Sequence, residues 1–283
     1  MAGSIVTRTE IEKAIEPILQ ECLRKFGDYS PIEITSEEFA RSIKGQLRSD
    51  LRRVSLLVSL VQSAPGGPAK GEGLELGCGY GYLLFPMALF NPKIRWIAVE
   101  HPGRRYFNKP EFRQAMNDYK CSLIGVDFVH GALPFADEQF SIVTFSETLE
   151  HLPVERLNFV MQEIGRVLRS GGLLVASSPN QASLENRVRL LKGRSILEIP
   201  DHLPAMQGLF GHIRLYTSDE MNLLASRLGF SLERRVLESN NSAYRGGRRS
   251  LRRRLYRLYE FAEQQLGFMR VFGDTWYMVF RKN

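Results

Sequence analysis

The sequence has 283 residues, of which 43% are hydrophobic, enough to build a sizeable buried core. No apolar run is long enough to cross a bilayer, and the first residues lack the basic-then-apolar layout of a secretory signal. The net charge of +7 is concentrated in an arginine-rich segment at residues 245–257. Cys22, Cys78 and Cys121 are scattered, so neither a disulfide framework nor a zinc site is expected. These features predict a reduced, cytoplasmic protein without a transmembrane segment.

Two amphipathic helices are predicted at the start of the chain, because apolar residues recur there at spacings of three and four. The first covers residues 9–26. The second follows a capping box formed by Thr35 and Glu38. Arg52 and Arg53 lie on the second helix, where they could face a ligand, but we favour solvated charges.

A glycine-rich loop follows, in the sequence Leu-Glu-Leu-Gly-Cys-Gly-Tyr-Gly at residues 74–81. Its pattern predicts a strand, a tight turn and a helix. Gly77, Gly79 and Gly81 permit positive φ and a close approach of the backbone to a ligand. A dinucleotide-binding fingerprint would need glycine at position 82, where this chain has tyrosine. A phosphate-binding P-loop would need Gly-Lys-Ser/Thr after the glycines, which is absent. A nicotinamide dehydrogenase and a P-loop protein are therefore disfavoured.

The next predicted strand, residues 94–100, ends in a carboxylate. Glu100 lies about twenty residues past the loop. In a doubly wound sheet, an acid at this place can accept hydrogen bonds from both ribose hydroxyls. We therefore expect Glu100 to bind ribose.

Several runs of the chain resemble class I S-adenosylmethionine (SAM)-dependent methyltransferases. The apolar-Glu-apolar-G-x-G-x-G run at residues 74–81 resembles their first motif. The run LPF-x-D-x-x-F at residues 133–140, a strand and then E-x-L-E-H at residues 147–151 are familiar in this family, as is RVLRSGGLLVASSPN at residues 166–180. The resemblance covers residues 70–238 and the last strand. It implies an α/β fold with a Rossmann-like, doubly wound sheet of seven strands, the last one antiparallel.

The resemblance also implies SAM as the cofactor. The glycine-rich loop would suit the methionine carboxylate, Glu75 would hold the ammonium directly or through water, and Glu100 would hold the ribose. The acid that usually precedes the LPF run and binds adenine is absent, so the backbone of Gly131 and Ala132 is expected there, or Asp127 reaches in. The expected cofactor-binding residues are Glu75, Gly77, Cys78, Gly79, Gly81, Glu100, Gly131, Ala132 and Ser146.

A second group of candidate residues follows the fourth strand. If a helical turn begins there, Glu147, Glu150 and His151 share a face, and His212 joins them from a later loop. Two interpretations stay open. His151 can act as a general base on a substrate hydroxyl, because imidazole titrates near neutral pH. Alternatively, all four residues bind a divalent metal, as a similar set does in methyltransferases of the terminal 2′-hydroxyl of small RNAs. We favour the base, because the fourth metal ligand would come from a loop that the sequence does not place.

The family pattern leaves two parts of the chain unassigned. Residues 1–66 are expected to form an N-terminal helical cap on the SAM-binding domain at residues 67–283. Residues 239–273 are expected to be a basic helical insertion between the last two strands. Residues 181–215 follow the fifth strand and are expected to form a lid over the substrate.

The sequence thus predicts a SAM-dependent methyltransferase that methylates an oxygen of a small molecule, such as a sugar or a lipid-linked intermediate. A metal-dependent RNA 2′-O-methyltransferase is an alternative, disfavoured because no strip of basic and aromatic residues is present for stacking bases. A non-catalytic protein of this fold, binding nucleic acid or an anionic surface through the arginine-rich segment, is a third reading. The intact residues Glu75, Gly77, Gly79 and Glu100 argue against it.

Overall fold

The computed structural model describes residues 7–26, 36–67, 70–104, 106–197, 212–239, 258 and 272–283. Three predictions fall wholly or partly outside these ranges. They are the cap residue Thr35, the part of the expected lid at residues 198–211, and the insertion at residues 239–273 with its arginine-rich segment.

The described elements include both helices and strands, as expected for an α/β protein. In chain order they are α1 (Arg8–Phe26), α2 (Ser36–Ser63), β1 (Gly71–Leu76), α3 (Leu84–Phe90), β2 (Ile94–Glu100), α4 (Pro110–Asp118), β3 (Ser122–Gly125), β4 (Phe140–Ser146), a 3₁₀ turn (Leu149–His151), α5 (Val154–Val167), β5 (Leu168–Pro179), α6 (Leu184–Leu191), α7 (Ser218–Arg227), β6 (Phe230–Glu238) and β7 (Thr275–Lys282).

The strands form one seven-stranded sheet in the order β3-β2-β1-β4-β5-β7-β6. Strand β2 pairs in parallel with β1 and β3, and β4 pairs in parallel with β5. Strand β7 runs antiparallel to β5 and β6. The predicted Rossmann-like sheet with an antiparallel last strand is therefore confirmed.

By their internal contacts the described residues divide into two compact units, one up to Asp127 and one from Phe128 onward. The first unit holds α1–α4 and β1–β3. Proline commonly interrupts a helix, and Pro17 predicts such a break in the first one, but α1 continues through it. Apolar side chains of α1 and α2 that are completely buried include Ile11, Ile15, Leu19, Val54 and Leu57. The boundary at residue 66 stays a prediction.

The second unit holds α5–α7 and β4–β7 around a core rich in aromatic side chains. Completely buried members are Phe140, Phe145, Trp276, Tyr277 and Phe280. The spacing of Thr217 and Glu220 predicts a capping box, and α7 begins there, with the two side chains each accepting a bond from the other's backbone N–H. Gly229, which the sequence predicts as the stop of this helix, has a φ of +83°.

Two strand boundaries differ from those that the apolar runs predict. The run at residues 173–180 predicts the fifth strand, but β5 already begins at Leu168, because Leu168 pairs with Phe140 across an irregularity in the ladder. The run at residues 123–129 predicts the third strand, but β3 ends at Gly125. Beyond it, the carbonyl of Val129 accepts a hydrogen bond from the Arg156 side chain instead of from a neighbouring strand.

Within the described ranges, none of the helices combines the length and apolar character that a membrane span requires.

Candidate active site

The glycine-rich loop connects β1 to α3, with φ values of +74° at Gly77, +51° at Gly79 and +81° at Gly81. At Gly81, a Cβ would lie 2.5 Å from the ring of Phe85, so this glycine is also required for packing. At Gly79, the nearest atom to a Cβ would be in the ring of Tyr82, at an ordinary 3.6 Å. A side chain at Gly79 would therefore enter the loop without entering the core.

The carboxylate of Glu100 ties this loop to the end of β2. Its Oε2 accepts hydrogen bonds from the Gly79 N–H and the Tyr106 hydroxyl, both at 2.9 Å, and its Oε1 accepts one from the His101 N–H at 2.8 Å. The Arg104 Nε lies 3.6 Å from Oε1. Burial, followed by the charge of Glu100, raises the pKa of Tyr106, so this hydroxyl remains a donor. Glu100 therefore shapes the loop as well as presenting a carboxylate beside it.

Glu75 is a buried acid at the end of β1, only 3% exposed. No described group forms a hydrogen bond with its Oε2. Burial, and then repulsion from Glu100, raise its pKa well above the ordinary value, while the positive charge of Arg53 acts in the opposite direction. A buried carboxylate of this kind is costly to maintain unless a ligand completes its hydrogen bonding. Glu75 is therefore a candidate contact for a cationic group.

Cys78 lies within the loop and is also buried. Burial, together with the nearby carboxylates of Glu100 and Glu75, raises the pKa of its thiol well above the ordinary value. The thiol is therefore neutral, and Cys78 acts as a small apolar side chain.

The second unit brings together three of the four predicted catalytic residues. Ligand atoms of Glu150, His151 and His212 all lie within 4.8 Å of one another. Oε1 of Glu150 is 4.0 Å from Nε2 of His151, and the two imidazole ring centroids are 5.1 Å apart. The backbone N–H groups of Ile213 and Arg214 donate to the carbonyl of Glu150, which anchors the segment that carries His212. Long-range backbone hydrogen bonds thus assemble this group.

The members of this group differ in exposure. The side chain of Glu150 is 1% exposed, whereas that of His151 is 31% exposed. The hydroxyl of Ser178 donates a hydrogen bond of 3.0 Å to Oε2 of Glu150. A buried acid is therefore held in place behind an imidazole that a substrate can reach.

Glu147 lies outside this group. It precedes the 3₁₀ turn and has a φ of +51°, a conformation that side-chain-bearing residues rarely adopt outside constrained sites. Its Oε1 accepts a hydrogen bond of 3.0 Å from Ser177, whose hydroxyl lies 2.6 Å from that of Ser146. The turn begins only at Leu149. The expected shared face of Glu147 with the other residues is therefore not formed.

Residues 131–132, whose backbone is expected to bind adenine, lead into a loop that several hydrogen bonds hold in place. The N–H of Leu133 donates to the Glu163 carboxylate at 2.8 Å. Arg166 donates to the carbonyls of Leu133 and Phe135 at 2.9 and 2.8 Å, and also to Glu163. These bonds hold the loop, while the contact of residues 131–132 with adenine stays a prediction.

Sequence reasoning missed several partners of the site. Ser177 and Ser178 form a polar pair at the end of an apolar strand, and that signal was available in the sequence. Tyr106 carried no such signal, because its bond to Glu100 depends on a turn that brings the two together. Arg53 was expected to be solvated, but its side chain is only 11% exposed.

A family model described as a methyltransferase domain matches residues 44–234, about two thirds of the chain. The chain belongs to this family. It is a SAM-dependent methyltransferase. The match begins within α2, ahead of the glycine-rich loop. A search of curated proteins gives no sequence match for this methyltransferase.

Solved structures with the same fold include a putative sarcosine dimethylglycine methyltransferase from Galdieria sulphuraria, with a TM-score of 0.54 and 16% identity, covering 96% of this chain and 98% of that one. A SAM-dependent methyltransferase from Archaeoglobus fulgidus has a TM-score of 0.52 at 15% identity, covering 86% and 94%. The third structure is the Haloferax volcanii complex between the Trm112 methyltransferase activator and a putative methyltransferase. One of its chains matches with a TM-score of 0.52 and 17% identity, covering 87% of this chain and 94% of that one. At these low identities, the similarity of the three solved structures to this methyltransferase establishes its fold and nothing further.

Proposed function

We propose that this methyltransferase methylates an oxygen of a small molecule, with His151 as the general base. The observation that carries the proposal is the group in which buried Glu150 lies next to partly exposed His151, with His212 beside it. The cofactor would be bound through the glycine-rich loop, Glu75 and Glu100.

Features of the first unit support this mode of cofactor binding. The buried Oε2 of Glu75, which no described group hydrogen-bonds, suits the ammonium of the methionine end of SAM. A carboxylate oxygen accepts about two hydrogen bonds. Oε2 of Glu100 already accepts two, whereas Oε1 accepts one from His101. We therefore expect a ribose hydroxyl to bind at Oε1 of Glu100.

The chemistry needs one proton acceptor. SAM supplies an electrophilic methyl group on its sulfonium, and the acceptor hydroxyl attacks that carbon in line. The new O–C bond forms as the S–C bond breaks, and S-adenosylhomocysteine leaves with the electron pair on sulfur. The hydroxyl proton passes to an imidazole nitrogen of His151, while Glu150 favours the resulting positive charge. Positioning the hydroxyl and taking up this proton are the contributions expected of the second unit.

A divalent metal held by Glu150, His151 and His212 is the second candidate mechanism. The close approach of their ligand atoms favours it, and a mixed set of oxygen and nitrogen donors suits several divalent ions. Glu147 is not part of this set, because its carboxylate is engaged by Ser177. In this mechanism the ion, and not His151, would orient the acceptor hydroxyl.

The experiment begins with a metabolite screen using isotope-labelled SAM to find the acceptor. The rate of the wild type should then rise with pH until the base has lost its proton. His151→Ala should be slower by about 100-fold or more, with the low-pH limb lost. Gln162→Ala, an exposed change on α5, serves as the control and should keep the wild-type profile. An acceptor that is methylated only on nitrogen or carbon, or an unchanged pH profile in His151→Ala, would contradict the proposal.

A further inference from the structure

Helix α6 presents apolar side chains to solvent instead of burying them. The structure describes every residue of this helix, and none of them is buried. Val188 is 39% exposed, Leu190 is 59% exposed and Leu191 is 87% exposed. A helix of a globular protein ordinarily packs its apolar stripe against the core. Single exposed apolar residues are common, but three on one short helix form an apolar patch.

Basic side chains surround these apolar residues. Residues 184–194 contain four basic residues and one acidic residue. Arg187 lies about one helical turn before Leu190 and Leu191, so it shares their face, and Lys192 and Arg194 follow the end of the helix. We call the exposed set the α6 patch, which consists of Arg187, Val188, Leu190, Leu191, Lys192 and Arg194.

The α6 patch lies on a helix that is held in place by several hydrogen bonds. The side chain of Ser183 caps the helix by accepting a bond from the N–H of Asn186. The side chain of Asn186 donates a hydrogen bond of 3.0 Å to the carbonyl of Asn180, which directly follows β5. Asn180 also pairs with Tyr216, a few residues beyond His212. Helix α6 is therefore tied to the segment that carries His212.

Apolar tips bordered by positive charges match the surface of an anionic bilayer. Leucine side chains can enter the boundary between the headgroups and the acyl chains. Arginine and lysine can bind lipid phosphates while their aliphatic stems remain among apolar groups. We propose that the α6 patch docks this protein on anionic lipid bilayers.

Other occupants match the α6 patch less well. A second copy of the chain would bring like charges together. A nucleic acid would match the charge but not the aliphatic tips, and residues 184–197 contain no aromatic residue on which bases could stack. A standard protein interface buries about 800 Å² per partner, which is more than three aliphatic side chains can expose. A fluid bilayer adapts to a small apolar contact and needs no matched surface.

Docking on a bilayer would also bear on the acceptor. The catalytic group of Glu150, His151 and His212 lies in the same unit as α6. A docked enzyme would meet acceptors held in the membrane, which favours a hydroxyl carried by a lipid-linked molecule. This consequence rests on the proposed function, whereas bilayer binding does not and is measured without turnover. His151→Ala should therefore bind vesicles like the wild type, even though it is slow in catalysis.

Flotation with lipid vesicles tests the docking. The vesicles contain either phosphatidylcholine alone or equal parts of phosphatidylcholine and phosphatidylglycerol. The wild type should bind the second kind at least about ten-fold more tightly, since each basic residue at an anionic surface contributes about five-fold in affinity. Raising the salt concentration should reduce this preference, because dissolved ions screen the charges.

Paired substitutions test the two components of the α6 patch. Leu190→Gln combined with Leu191→Gln should weaken binding to the anionic vesicles by about ten-fold or more, because the apolar tips no longer enter the bilayer. Lys192→Gln combined with Arg194→Gln should reduce the preference for anionic vesicles by about ten-fold. If the leucine pair fails to fold, Leu191→Gln alone changes the more exposed of the two. It should also weaken binding, and unchanged binding would overturn the proposal.

The matched control is Leu223→Gln combined with Arg227→Gln, which removes an exposed leucine and an exposed arginine from α7. It should bind both kinds of vesicle like the wild type. A wild type that binds neither kind of vesicle would overturn the proposal. Variants of the α6 patch that bind as tightly as the wild type would also overturn it, because another surface, such as the arginine-rich segment, would then hold the bilayer.

Discussion

The backbone N–H of Gly79 donates a hydrogen bond of 2.9 Å to Oε2 of Glu100. The acid expected to contact ribose thus also sets the shape of the loop expected to hold the methionine end of SAM. Tyr106 donates to the same oxygen, so the Glu100 carboxylate links three segments of the first unit. Variants of Glu100 should therefore affect both cofactor affinity and loop geometry.

Glu100→Ala should weaken the binding of S-adenosylhomocysteine by about 1–3 kcal/mol, the scale of hydrogen bonds lost to a charged group. Calorimetry measures this directly. Tyr106→Phe removes one loop contact and keeps the carboxylate, so its effect on affinity should be smaller. Equal affinities for the wild type and Glu100→Ala would show that Glu100 does not contact the ribose.

Gly79→Val should abolish cofactor binding and leave the protein folded. The substituted side chain would project into the loop, and its φ of +51° is unfavourable for a β-branched residue. Gly193→Val is the matched control, because Gly193 also has a positive φ, of +63°, and open space around it. Thermal unfolding with and without S-adenosylhomocysteine reads out both properties. Normal stabilisation of Gly79→Val by the ligand would place the cofactor elsewhere.

Glu75→Gln should stabilise the ligand-free protein increasingly as pH rises. The pKa of Glu75 is raised in the folded state, so proton uptake favours folding below the unfolded pKa. The stability gained from this proton uptake is lost as the pH rises from the unfolded-state pKa of about 4.3 through the pKa of the folded state. The loss is about 1.4 kcal/mol for each unit by which the two pKa values differ. Gln lacks this penalty because it stays neutral.

Denaturant unfolding from pH 5 to pH 8 tests the effect of Glu75→Gln, with Glu111→Gln on the exposed part of α4 as the control. The difference in unfolding free energy between Glu75→Gln and the wild type should grow with pH, whereas the control should follow the wild type. Parallel curves for all three proteins would show that Glu75 ionises normally. The same Glu75→Gln change should weaken the binding of S-adenosylhomocysteine, because the ammonium would lose its charged partner.

Chelation should leave the activity unchanged if His151 is the base. His151→Ala would then be much slower than His212→Ala and Glu147→Ala, which should show milder positional effects. A metal mechanism gives a different pattern. Chelator would abolish activity until a divalent ion is restored, and the losses in His151→Ala, His212→Ala and Glu150→Gln would be similarly large. Steady-state rates measured with and without chelator decide between the two.

Local patterns in the sequence were sufficient to predict the main elements and the candidate cofactor residues. The glycines at 77, 79 and 81 and the acid at the end of β2 follow from the geometry of a strand, turn and helix, which depends on neighbouring residues. The family resemblance predicted the strand pairing, including the antiparallel β7. The glycine-rich loop and the strand before it involve short stretches whose backbone conformation depends mainly on their own residues, whereas the strand pairing was expected only from the resemblance.

Only the tertiary structure decided which side chains meet. Helical spacing grouped Glu147 with Glu150, but a φ of +51° and a bond to Ser177 hold Glu147 apart, while distant His212 is brought in by backbone bonds to Glu150. Arg53 reads as a solvated helix charge in the sequence, yet packing of α2 beside the loop nearly buries it. Spacing along the chain defines a face of one element, whereas burial and hydrogen-bond partners depend on what packs against that face.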